Sequence, residues 1–138
     1  MKTVALILGG FFLLCGCGQQ EISAVCASLL IPRQLDDSVK KIEVYCFETS
    51  ANRPRCDELS SSASFEDYRK QAFAKITLSF PGQNTAVFEG IPDHGTVWRF
   101  YARGYDATDA LIAQGCTAGL YEIKPGQDTQ IEITLVAY

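Results

Sequence analysis

Val97-Trp98-Arg99-Phe100-Tyr101-Ala102-Arg103-Gly104-Tyr105 is the stretch that decides the fold. Trp98, Phe100 and Ala102 alternate with Arg99, Tyr101 and Arg103, and a period of two is the mark of a strand with one face turned to a core. A helix would put Trp98 and Phe100 on different sides. Working outward, Asp106-Ala107-Thr108-Asp109 is turn chemistry, and the apolar positions resume over 111–123. Pairing these two segments as a hairpin sets Ala102 opposite Ala113. It gathers Trp98, Phe100, Ala102, Leu111, Ala113 and Gly115 on the inward face, with Cys116 on the other.

The same alternation recurs on both sides. Strands are predicted over 23–31, 41–48, 74–80, 85–91 and 129–137, in addition to Val97–Tyr105 and 111–123. Pro81-Gly82-Gln83, Pro92-Asp93-His94-Gly95 and Lys124-Pro125-Gly126-Gln127 punctuate them. One segment breaks the pattern. Ser64 with Asp67 forms a loose capping box, Glu66 and Lys70 stand four apart, and Phe65, Tyr68 and Ala72 share a side, so a short helix is expected over 64–72. Seven short strands with turns about every ten residues predict an all-β fold. The expected architecture is a seven-stranded antiparallel β-sandwich, Greek-key in type, with that helix between its second and third strands.

The N-terminus carries an address. Lys2 precedes an apolar run from Val4 to Leu14, broken only by Gly9-Gly10. This run is shorter than the ~20 residues a membrane span needs but suits an export signal. Leu14-Cys15-Gly16-Cys17 follows, and it resembles the lipobox of bacterial lipoproteins. That resemblance implies cleavage after residue 16 and a thioether-linked diacylglycerol on Cys17, with an N-acyl chain such as palmitate. Two chains anchor stably where one holds marginally. Gly18 in place of Asp after the lipidated cysteine points, by the rule of that family, to the outer membrane. Ordinary signal-peptidase cleavage and an uncleaved helix are the rival readings. The expected layout is a signal peptide at 1–16, a lipidated tether at 17–22 and one domain at 23–138. The tether spans at most ~18 Å, which holds the domain close to its bilayer.

Of the 138 residues, 12 are Lys or Arg and 16 are Asp or Glu. An acidic chain without basic runs argues against nucleic acid and against charge-driven binding of anionic lipid. With Cys15 removed and Cys17 acylated, Cys26, Cys46, Cys56 and Cys116 are left, and four cysteines in an exported domain read as two disulfides. If the first two strands form a hairpin about Asp36, Cys26 faces Cys46, and the loop bearing Cys56 is free to reach Cys116. That pairing is preferred. Cys46–Cys56 with Cys26–Cys116, or four buried thiols, are the alternatives.

Chemistry is sparse. His94 is the single histidine, and no nucleophile elbow or metal-ligand spacing accompanies it. No enzyme, metal or cofactor is expected. Asp106 and Asp109 fit a tight turn better than a calcium loop. Arg99, Tyr101, Arg103 and Tyr105 form a ladder opposite the inward side chains, and these residue types are enriched at binding hot spots. Left exposed, the ladder is the candidate binding face for an acidic glycan or peptide. The preferred reading is nonetheless a merely structural face, solvated or covered by the loop that bears Cys56.

Over residues 23–138 the pattern, especially Gly90-Ile91-Pro92, Tyr105-Asp106 and Gly115-Cys116, resembles the immunoglobulin-like or transthyretin-like sandwiches of small bacterial lipoproteins. The resemblance implies a non-enzymatic structural or interaction module of the cell envelope, held to the membrane through Cys17, with an envelope protein or glycan as partner. A ligand-binding module and an accessory lipoprotein of a secretion or envelope machine are the alternatives.

Overall fold

The computed structural model describes residues 23–92 and 95–138. The signal, lipobox and tether at 1–22, Cys17 included, and His94 lie outside the described residues.

Two sheets and a helical cover make three layers. The small sheet has β1 (Ala24–Leu30) at its centre, between β4 (Thr85–Glu89) and β8 (Thr129–Thr134). The large sheet runs β3 (Ala74–Ser79), β2 (Lys41–Thr49), β5 (Val97–Tyr105), β6 (Leu111–Cys116), β9 (Val136–Ala137), with β7 (Tyr121–Glu122) also on β5. Helices α1 (Arg33–Asp36), α2 (Cys56–Leu59) and α3 (Ser62–Arg69) fill the connections. The expected helix thus starts two residues earlier and ends earlier, with α2 ahead of it. Among the described residues the expected seven strands become nine, because each of the last two breaks in two.

Alternation decides what faces the core between the sheets. Val25, Ala27 and Leu29 of β1 meet Ala86 and Phe88 of β4 and Ile131 and Ile133 of β8 on one face. Against them stand Ile42, Val44 and Cys46 of β2, Trp98, Phe100 and Ala102 of β5, and Ala113 of β6. Trp98 and Phe100 are fully buried, as their positions predict. The β5–β6 pairing is offset from expectation: Ala102 faces Gly115, and Ala113 faces Gly104. The slip is two residues, and an even slip preserves which face each side chain takes.

The chain departs from a simple run of hairpins in two respects, the first being that β1–β2, β3–β4, β4–β5, β7–β8 and β8–β9 each join different sheets. β1 and β2 lie in different sheets, so Cys26 faces Val87 and Gln130 rather than Cys46. The reason lies in the connection. Val39 is fully buried and Leu35 packs on the core, while the Val39 amide donates to the Leu35 carbonyl at 3.1 Å. These apolar residues turn the segment into a crossing between layers that stand about 10 Å apart. The second departure is that β1 and β8 run parallel, which no tight turn can produce and only chain ends far apart in sequence allow.

Past β8 the chain changes sheets. The Leu135 amide donates to the Leu30 carbonyl at 2.9 Å in the small sheet, and Tyr138 donates to the Ile112 carbonyl at 3.0 Å in the large one. The crossing passes directly over Gly115. A methyl group there would collide with the Thr134 carbonyl oxygen and lie 2.9 Å from Ile133 Cγ2. Gly115→Ala is therefore expected to lower stability by about 1–3 kcal/mol, the usual cost of overpacking, as read from urea unfolding of the purified domain. An unchanged midpoint would show that the crossing yields freely.

Candidate functional site

The second face of the large sheet holds the Arg–Tyr ladder, and the expectation of an exposed ladder is corrected here. Arg99 is 5% exposed, Tyr101 0% and Arg103 7%; only Tyr105 is half-buried. The cover is the segment between β2 and β3. Its apolar residues Leu59 and Phe65 pack with Tyr45, Phe47 and Tyr101 in a second, smaller core. β2 and β5 are thus covered on both sides, which the near-continuous run Val44-Tyr45-Cys46-Phe47 signals in retrospect.

The ladder's polar atoms are largely satisfied inside this layer. The Arg103 guanidinium lies over the Phe65 ring, 3.7 Å from its centroid, and its Nε donates to the Tyr101 hydroxyl at 3.2 Å. Tyr101 in turn donates to Gln114 Oε1 at 2.8 Å. Tyr45 and Tyr105 both donate to Glu43 Oε1, at 2.7 and 3.0 Å. Arg99 reaches Asn52 Oδ1 at 3.1 Å and the Ala118 carbonyl at 3.5 Å. Asn52 stands with Ala51 in a left-handed turn, φ 61° and 55°, closed by reciprocal bonds between Ser50 and Arg53 at 3.0 Å. That is the geometry of a two-residue hairpin turn, normally given to Asn or Gly. Arg53 also pairs with Glu58, tying the turn to α2.

Burial raises three phenols above their ordinary value of 10.0. Desolvation is the first cause for each of Tyr45, Tyr101 and Tyr105; the Glu43 carboxylate adds to it for Tyr45 and Tyr105, while Arg103 opposes it at Tyr101. Burial also pushes the Cys46 thiol up. The fold therefore prefers the neutral phenols. Their contribution to stability is complete below pH ~10 and is lost as pH rises past the phenol's value in the unfolded chain. Absorbance at 295 nm is expected to show these phenols ionising together with alkaline unfolding. Independent titration of all six tyrosines near pH 10 would contradict the burial described.

Cys56 and Cys116 are disulfide-bonded, as preferred, with Cα atoms 5.9 Å apart. The bridge ties α2 to β6. The Cys26–Cys46 bond does not form: Cys46 points into the core between the sheets, and Cys26 sits on a different sheet. An open cleft of about 330 Å³ flanks the bridge, bounded by Asp57 of α2 and Ser60 just after it, by Gln114 and Gly115 of β6, and by Val136. Asp106 Oδ1 accepts from the Thr108 amide and hydroxyl and from the Ala110 amide at 2.7–3.0 Å, so the turn itself occupies that oxygen. Among the described residues no three His, Cys, Asp or Glu side chains converge as a metal site, and no helix is long and apolar enough to cross a membrane.

No family model and no curated protein matches the chain. Two solved structures are similar to it. An alternative pilotin from the type II secretion system of Vibrio cholerae superposes with a TM-score of 0.51 at 12% identity, covering 85% of this chain and 97% of that one. A minor pilin of Streptococcus agalactiae gives a TM-score of 0.42 at 15% identity, covering 80% of this chain and 49% of that one. At 12% identity the likeness to the pilotin is one of fold.

Proposed function

We propose that this chain is an accessory lipoprotein of the bacterial cell envelope, anchored through Cys17 and serving a secretion or comparable envelope machine without catalysing a reaction. The observation that carries the reading is a conjunction. A sequence with the lipobox pattern Leu14-Cys15-Gly16-Cys17 has a fold shared, over nearly the whole of both chains, with a secretion-system pilotin. Gly18 favours the outer membrane. Within this reading the two sheets are an elaborated immunoglobulin-like or transthyretin-like sandwich, and the helical layer is the elaboration. Burial of Arg99, Tyr101 and Arg103 counts against the glycan- or peptide-binding alternative, which needs that face open.

The test joins address to partner. Cells fed an alkyne fatty acid are expected to label the wild type and not Cys17→Ser, which would leave the membrane fraction. Crosslinking of the labelled protein in membranes is expected to recover a subunit of an envelope assembly. An unlabelled wild type would remove the anchor, and crosslinks confined to copies of itself would remove the accessory role.

A further inference from the structure

We propose that the Cys56–Cys116 disulfide is a thiol-exchange site, at which an incoming dithiol attacks Cys116 and Cys56 departs as a thiolate beside Arg99. The carrying observation is the placement of Arg99. Arg99 is 5% exposed, and among the described residues no carboxylate lies within ion-pair distance of its guanidinium. Asp57 acts on it only at longer range and is itself paired with Arg55 at 3.2 Å. Arg99 Nη1 points at Cys56 Sγ, 3.7 Å away, while Nε has no hydrogen-bond partner among the described residues. A buried cation without a carboxylate partner thus contacts Cys56 Sγ, where the Thr117 carbonyl oxygen also stands 3.3 Å away, and among the described residues it makes no such contact with Cys116 Sγ.

That asymmetry selects a direction. Thiol–disulfide exchange is faster when the departing sulfur is the better-stabilised thiolate, and a neighbouring cation stabilises it. Cys56 is therefore the leaving group and Cys116 the sulfur attacked. Both border the open cleft, so an attacking thiolate needs no unfolding to arrive. In the first step a bond forms between the carrier's thiolate and Cys116 Sγ. The Cys56–Cys116 bond breaks, and its electron pair goes to Cys56. The carrier's second thiolate then bonds to its first sulfur and releases Cys116. Two electrons pass from the dithiol to the bridge. The carrier's two protons go to Cys116 and to solvent, while Cys56 remains a thiolate paired with Arg99. The carrier class is a dithiol protein of the kind that keeps exported cysteines reduced. The mechanical result is that α2 is no longer tied to β6.

The full-length protein, isolated in its natural form, is incubated with reduced glutathione at neutral pH and quenched with an alkylating agent, and the cysteines are mapped by mass spectrometry. Glutathione is expected on Cys116 and the alkyl group on Cys56. Dithiothreitol is expected to reduce the bridge in Arg99→Gln about tenfold more slowly than in wild type, with Arg99→Lys in between, from the dependence of exchange on the leaving thiolate. Glutathione found chiefly on Cys56, or no mixed disulfide without denaturant, would overturn the proposal. So would equal rates in folded wild type and Arg99→Gln. Should Arg99→Gln fail to fold, the glutathione map on the unaltered protein decides alone. The labelling test of the lipid anchor is independent of every one of these outcomes.

Discussion

Replacing Cys56 and Cys116 together by alanine is expected to lower the stability of the domain by about 4 kcal/mol. The bridge closes a loop between positions 60 residues apart. On the chain-entropy account, a loop of that size falls between the ~3 kcal/mol of a short loop and the ~4.7 kcal/mol of a 100-residue one. The effect acts mainly on the unfolded chain, so it has a second signature. Without the crosslink the denatured ensemble expands, and the denaturant slope m rises as the midpoint falls. Urea unfolding of the two proteins measures both. A loss below about 1 kcal/mol would mean that native contacts relax to offset the lost constraint. Non-reducing peptide mapping supplies the companion check: the Cys56–Cys116 peptide is expected, and a crosslinked Cys26–Cys46 peptide is not.

That cysteine pair shows which parts of the fold were legible in the sequence. Local alternation was enough for the strands, because whether Trp98 or Arg99 faces the core between the sheets depends only on parity. A register two residues off leaves that parity intact. Pairing between strands was less legible, since hairpin logic joins neighbours in sequence. Here Leu35 and Val39 carry the chain between layers, and β1 takes β8 as its parallel partner from the far end of the domain. The change of sheet at Leu135 is hidden inside an alternation, Ile131, Ile133, Leu135, that looks like one uninterrupted strand. Of the candidate site, the Cys56–Cys116 bond was foreseeable because Cys116 falls on the outer face. Cover of the ladder by the loop bearing Cys56 was one of the structural readings, but it stood beside a solvated face, since charged residues in a strand usually meet water. Two signals pointed to a cover: aromatic Tyr45 and Phe47 on the same face of the adjacent strand, and a short helical segment carrying Phe65 with nothing nearby in sequence to pack on.

Phe65 is accordingly where the helical layer is most vulnerable, and Phe65→Ala is expected to cost about 3–5 kcal/mol, the usual range for a large aromatic removed from a core. Its ring lies 5.2 Å from that of Tyr45 and 5.3 Å from that of Tyr101, and it forms the surface on which the Arg103 guanidinium rests. A desolvated cation–π contact of this kind contributes ~2 kcal/mol, and its loss leaves Arg103 with an Nη2 that already lacks a hydrogen-bond partner among the described residues. Water entering the gap would reach Tyr45 and Tyr101, so their titration should move back toward the ordinary phenol value in the variant. Urea unfolding and the 295 nm titration read the two effects separately. Combining Phe65→Ala with the cysteine replacements is expected to be less than additive, because the bridge and the ring secure the same helical layer and share its release. Full additivity, or a cost under ~1 kcal/mol for Phe65→Ala alone, would show that α3 rests on the sheet without clamping it.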